Sequence, residues 1–443
     1  MRMSRSLYRS MTGFPSGFWV LWSATLVNRM ATFVYPLLGI YLTTELGYSA
    51  TTAGLVLATF GIGSVAGSLI GGELTDRIGR RPTMAGAQLL AAVSTAIMGF
   101  TPNGATIAVL VFFMGLGVSA SRPAVQAMIV DMVPQKDRVR AFSVNYWAVN
   151  IGFGFSAVVA GYLVHEGYLW IFLGDAATTL ICAVVMWVRL PETRPERADT
   201  ASSGTEAPIS SRQVFRDSRF MTFCLLALGV WLMMYQGWSI LPVDMAGRGI
   251  STQAYGLIIA LNGVVIILLQ IPVTALVKGR KLGLAPVLTL SAVLLGAGFG
   301  LTGLAGTSLI FSALCVVIWT LGEILYAPAS SAAVGELAHT QTRGRYQGVY
   351  SLSGSVASVL APLLGGLVLD HRGGYALWSL CAAVGVVAAA GFWILFLRAA
   401  RSADGSGGDV GGRSAGPQGP VSNPALRLPA RAVPAQSITA GIR

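Results

Sequence analysis

The feature that most restricts this chain is a series of twelve apolar runs, each about as long as the roughly 20 residues a helix needs to cross a hydrocarbon core. They lie at 17–41, 51–74, 83–100, 105–129, 142–164, 168–189, 219–244, 253–277, 284–303, 307–333, 346–369 and 374–398, separated by Gly, Pro or charge. In hydrocarbon every backbone polar group must be satisfied internally, so runs of this length fold as helices. Hydrophobic residues make up 54% of the chain and charged residues 11%, with a mean hydropathy of +0.67, more apolar material than a water-soluble surface can hide. The expected fold class is an all-α membrane protein of twelve transmembrane helices, numbered here as spans one to twelve.

A net charge of +12 would suggest nucleic acid for a soluble protein. Here the basic residues fall in short clusters between the runs, so the charge encodes topology and no nucleic-acid partner is expected. All but four of the 30 Lys and Arg lie on one set of alternate segments; Arg29 and Arg122 sit inside spans, and Arg248 and Arg372 in opposite loops. With the basic side inside, both termini are cytoplasmic and the chain is a multi-pass protein of the cytoplasmic membrane. The first run is too long for a signal-peptide core and should remain as span one. Cys182, Cys224, Cys315 and Cys381 lie in apolar runs as packing residues, and His165, His339 and His371 are scattered, so neither metal nor cofactor is expected.

These signals divide the chain into a cytoplasmic N-terminus (1–16), a six-span bundle (17–189), a polar cytoplasmic linker (190–218), a second six-span bundle (219–398) and a Gly/Ser/Pro-rich tail (399–443) expected to be disordered. A shift of 205 residues superposes the bundles: Gly117 on Gly322, Pro123 on Pro328, Asp131 on Glu336, Arg138 on Arg343, Arg140 on Arg345 and Gly161 on Gly366. Composition alone does not align Pro, Arg and acidic positions. Six spans per half give both halves the same orientation, so the repeat is parallel, about an axis along the membrane normal. No nucleophile paired with a base appears in a loop, and Gly61, Gly63 and Gly67 lie inside span two, where close helix packing explains them better than a nucleotide motif.

Between spans two and three stands GGELTDRIGRRP. With Gly72, Asp76, Arg77, Gly79, Arg80 and Arg81 it resembles the loop signature of the major facilitator superfamily, and more closely that of its twelve-span drug:proton antiporter branch. The resemblance covers about residues 15–398 and implies two pseudo-symmetric six-helix bundles, a monomer, and a small-molecule substrate moved with protons. It also implies a conformational latch formed by Gly72, Asp76, Gly79, Arg80 and Asp131. Asp76 would meet the N-terminal end of span eleven, near Arg343 to Tyr346, and Arg80 would meet Asp131 in DMVPQKDR. The equivalent second-half loop, KGRKLG, lacks the acid, so the latch is expected to be one-sided. Two departures stand out: span five carries Ser156, Ala157, Ala160 and Gly161 in place of the branch's usual GP and GG, and the position of its span-four arginine falls near Val111. Both put strict proton antiport in question and leave the fold untouched.

An ionised group at mid-membrane costs roughly 2.5–3.5 kcal/mol on the insertion scale, so such residues face water-filled cavities. Arg29, Arg122 and Glu323 fall in spans one, four and ten, which the resemblance places with span seven around the central cavity. Helical spacing adds Thr25 and Thr32 to the face of Arg29, Ser119 and Gln126 to that of Arg122, and Thr320 to that of Glu323. Span seven contributes Tyr235, Gln236 and Trp238, and Asn28 and Tyr35 also qualify as cavity residues. Glu323 is the candidate proton carrier. Asp175, in a span six expected to be peripheral and about a turn from the outer surface, is the rival. Two Arg against one Glu leave the cavity at net +1, favouring neutral, zwitterionic or anionic substrates. The expected activity is proton-coupled efflux of drugs or metabolites by alternating access, the alternative being an importer or facilitator of a nutrient-like solute; no enzyme activity is expected.

Overall fold

The computed structural model describes residues 13–32, 34–193, 214–280, 282–338 and 343–405. The tail beyond 405 and most of the linker, for which disorder and flexibility are expected, lie outside these. Met1–Arg398 forms one compact unit; of the second, Ala399–Arg443, only the end of the last helix is described.

Every regular element among the described residues is helical. Span two is Ala50–Arg77, span three Arg80–Met98, span four Gly104–Met132, span five Arg138–Leu163 and span six Tyr168–Arg189. Span eight is Thr252–Gly279, span nine Leu284–Thr302 and span ten Leu309–Leu337. Several starts are written locally: the side chains of Ser49, Asn103, Asp217 and Ser308 accept from the backbone N–H three residues on, each relieving a helix end of an unpaired donor.

Nine described helices are long and apolar enough to cross a membrane, and three features account for the remainder of the twelve. Span one is divided into Ser16–Ala31, Val34–Ile40 and a π-turn at Tyr41–Glu45. Span three opens with two arginines and is less apolar. Spans eleven and twelve run together as Arg343–Gly405, separated only by Gly373, whose φ of 76° turns the chain back. Span seven is divided as well: Ser218–Ser239 is followed by Leu241–Gly247, with Pro242 at the start of the second piece. The first span of each half is thus broken near corresponding positions.

Glycine sets the closest helix contacts. On one face of span two, a Cβ at Gly63, Gly67 or Gly71 would sit 2.0, 2.2 or 2.3 Å from the carbonyl oxygen of Phe112, Leu116 or Ala120 in span four. Only a hydrogen lets those backbones meet. The repeat appears in three dimensions too: Gly117 seats span four on the Ala87 carbonyl of span three, and its counterpart Gly322 seats span ten on the Ser291 carbonyl of span nine.

Besides the contact of Gly39 in span one with Val243 and Ser239 of span seven, the halves meet along two long seams. A Cβ at Gly54 would lie 2.2 Å from the Pro362 oxygen and one at Gly61 2.7 Å from the Ser358 carbonyl, joining spans two and eleven. Spans five and eight meet through Gly154 with Gly263 and Gly256 with Ala157. These contacts gather toward the end of the bundle that carries residues 50, 163, 252 and 370, called here the far end. The end bearing residues 77, 132, 189 and 343 is the near end.

Candidate functional site

Arg29 is half-buried in the last turn before the break in span one, and its Cβ packs where Gly152 of span five leaves room. It lies within electrostatic reach of Arg122 and Asp175. Arg122, exposed on span four, is also within reach of Tyr235 on span seven of the opposite half, and Tyr235 in turn of Tyr35. With neighbours on spans one and seven, Arg122 is exposed to the seam between the halves. Among the described residues neither arginine has a carboxylate within 4 Å. The Tyr35 hydroxyl is buried without a hydrogen-bond partner among the described residues, its ring packed 4.5 Å from that of Phe60.

Glu323, half-buried on span ten, accepts a 3.0 Å hydrogen bond from the Asn262 amide of span eight. The same nitrogen donates to Thr320 at 3.0 Å, and Thr320 donates to the Val316 carbonyl. Asn262 is 2% exposed, so its amide is fixed and holds the carboxylate at one rotamer. Tyr146, on span five of the first half, lies within electrostatic reach of Glu323 across the seam. Trp238 contributes as well, its ring edge-to-face with Phe153 of span five at 4.5 Å.

Several expectations need correction. Asp175 is not peripheral: it is 7% exposed, two turns inside the start of span six, and accepts from Thr179 at 3.3 Å. Thr179 itself accepts from Asn28 of span one at 2.8 Å, so Asp175 is tied to the broken helix that carries Arg29. The charge balance is therefore two arginines against two acids, with the positive excess on the first half and the negative charge on the second. Gln236 is 6% exposed and gives its amide to the Ala361 carbonyl of span eleven at 2.8 Å, so it joins spans within the second half. The hydroxyls of Thr25 and Thr32 donate to carbonyls one turn back, Leu21 and Asn28, while Gln126 is exposed beside Arg122.

At the near end the signature loop is held within its own half. Arg80, 8% exposed, donates to Asp131 at 3.0 Å and to the Thr75 carbonyl at 3.1 Å, and stands 3.7 Å from Asp76. Gly79 adopts φ 109°, which only glycine takes readily, and turns the amides of Arg80 and Arg81 onto Glu192, at 2.9 and 3.1 Å. A Cβ at Gly72, by contrast, would meet nothing within 4 Å. Among the described residues Asp76 makes no bond to span eleven: its side chain is 82% exposed, and Tyr346 donates instead to Asp217 at 3.0 Å. Gly344 and the Arg343 side chain lie outside the description of side chains.

A duplicated helical membrane bundle with ionisable groups concentrated at the seam defines a membrane transporter. The model of the Major Facilitator Superfamily matches residues 21–243 and again 232–435, and the chain belongs to that family. It is 29% identical to the MFS-type transporter YttB of Bacillus subtilis over 77% of this chain and 85% of that protein. It is 23% identical to the multidrug resistance protein MdtH of Salmonella arizonae over 76% and 82%. In fold it resembles a POT family transporter solved with 5-aminolevulinic acid (TM-score 0.72, 18% identity, 88% of this chain and 97% of that one). It also resembles the nucleoside transporter NupG (TM-score 0.71, 15% identity, 86% and 99%). These relatives are transporters, not enzymes, and a multidrug resistance protein among them agrees with the branch suggested by the loop signature.

Proposed function

We propose that this chain exports small molecules across the cytoplasmic membrane in exchange for protons, by alternating access at the seam that holds Arg29, Arg122 and Glu323. The observation that carries this reading is Glu323, a carboxylate fixed by Asn262 on the second half with Tyr146 of the first half facing it. A rocking motion between the halves changes the surroundings of such a group. It can take a proton on one side and release it on the other. Asp175, tied through Thr179 to Asn28, is the second proton-coupling candidate, acting on the first half through Arg29.

The segregated charge narrows the cargo. Arg29 and Arg122 offer cationic donors from the first half, Glu323 an acceptor from the second, and Tyr35, Tyr235 and Trp238 supply aromatic surface between them. Thr320, fully buried and bonded to Asn262 and Val316, supports the neighbour of Glu323 and does not line the site. Neutral or zwitterionic molecules with an aromatic or amphipathic body suit this lining better than lipophilic dications. The near end corresponds to the cytoplasmic side by the distribution of Lys and Arg, and the close glycine contacts between the halves lie toward the opposite end. Export is preferred to import because the curated relatives include a multidrug resistance protein.

The test uses everted membrane vesicles containing the protein and a panel of aromatic zwitterions, neutral drugs and cationic dyes. Proton-coupled export predicts substrate-dependent alkalinisation of the lumen for the first two groups, weakened at least about tenfold by Arg29→Ala, the loss of one charge-assisted contact. Accumulation by whole cells with no alkalinisation in vesicles would contradict it, as would strong efflux of cationic dyes unaffected by Arg29→Ala.

A further inference from the structure

Spans two and eleven are antiparallel neighbours on opposite sides of the seam, so the last turn of each lies beside the first turn of the other. At the far end Asp370, in the last turn of span eleven before Gly373, reaches the start of span two. Its carboxylate oxygens accept from the backbone amides of Ala50 at 3.0 Å and Thr51 at 2.6 Å. Ser49 takes the next amide, that of Thr52, and its carbonyl the one after, that of Ala53. The amides of the first three helical residues, which have no intrahelical acceptor, are therefore satisfied, two of them by a residue of the other half. The helix N-terminus carries partial positive charge, which adds to the hold on a carboxylate. Directly beneath, a Cβ at Gly366 would sit 2.2 Å from the Ala50 oxygen. Separation of the halves here must break both bonds. At the near end the roles are reversed: Asp76 closes span two, and its side chain is 82% exposed.

We propose that Asp370 is the far-end gate residue of transport, the counterpart of Asp76. Each carboxylate ends one helix of the pair and caps the start of its antiparallel neighbour in the other half. Asp370 does so when the far end is shut, and Asp76 when the near end is shut. Both gates thus act on one pair of helices, and opening one frees the pair to close the other. The amides and carboxylate released at the open end are met by water, so the exchange is reversible.

This inference rests on the alternating-access reading, and its test reads the gates without substrate, so each fails separately. Nitroxide labels at Glu45→Cys and Arg372→Cys report the far end, and labels at Ile78→Cys and Gln347→Cys the near end; the four native cysteines are buried. In the parent the far-end pair gives a short distance. Asp370→Asn raises the ratio of far-open to far-shut molecules roughly tenfold, the loss of one charge-assisted contact, and brings the near-end pair together. Asp76→Asn shifts both pairs the opposite way. Asp370 is exposed, so the isosteric change preserves folding; Asp370→Ser is a second neutral variant expected to match it, and Asp370→Glu should restore the far-shut state in part. Unchanged distances in both neutral variants would overturn the proposal, and so would Asp370→Asn and Asp76→Asn moving the labels in the same direction.

Discussion

The two seams between the halves are one construction used twice, yet they close differently. Gly366 of span eleven seats on the start of span two, and its repeat counterpart Gly161 of span five seats on the start of span eight, beside Gln253. Four residues further on, the first seam has Asp370 on two backbone amides; the second has His165, 3.4 Å from the side chain of Gln253. Span eight also caps itself, Ser251 accepting from the Ala254 amide. Both seams share the close backbone approach, and among the described residues only the first has a charged bond across it. The spans two and eleven seam is therefore assigned the role of gate, and the spans five and eight seam that of pivot.

That contrast can be broken most forcefully at its glycines. Gly366→Leu forces a side chain against a carbonyl oxygen 2.2 Å away, whereas at Gly161 the nearest atom is 3.0 Å away. Overpacking of this kind costs about 1–3 kcal/mol, so Gly366→Leu should reduce vesicle transport by roughly tenfold to a hundredfold, and Gly161→Leu by clearly less. Equal losses would erase the distinction between gate and pivot. Next in size is the shift of roughly tenfold expected for Asp370→Asn in the label distances. The smallest effect belongs to His165→Ala, which removes a long, neutral contact and should change transport by less than about twofold. A larger loss there would make the second seam a gate as well.

Much of the fold could be read along the chain. The spans follow from their length, and the tight packing of span two from its glycines. The repeat was visible because Pro123 and Pro328, or Gly117 and Gly322, occupy equivalent positions in helices of the same length. The site was legible only in part. Arg29, Arg122 and Glu323 stood out because ionisable groups inside apolar runs are costly. Asn262, Tyr146 and Thr179 did not, since a polar residue inside a span has no visible partner until distant helices meet: Asn262 is 61 positions from Glu323, and Asn28 is 151 from Thr179. Asp370 and the amides it caps are about 320 positions apart, and backbone amides leave no mark in the sequence. Gln236 was misplaced because helical spacing assigns a face but does not say which neighbour covers it. Its amide serves span eleven.

The account turns on Glu323 as the group that couples protons to cargo. In proteoliposomes, Glu323→Gln is predicted to abolish transport driven by a pH gradient while retaining substrate-for-substrate exchange, because rocking between the halves needs no net proton transfer when cargo returns on every cycle. Proton-driven flux equal to that of the parent in Glu323→Gln would contradict the assignment. Loss of both activities would also contradict it, showing Glu323 to be a structural tie for Asn262 and Thr320.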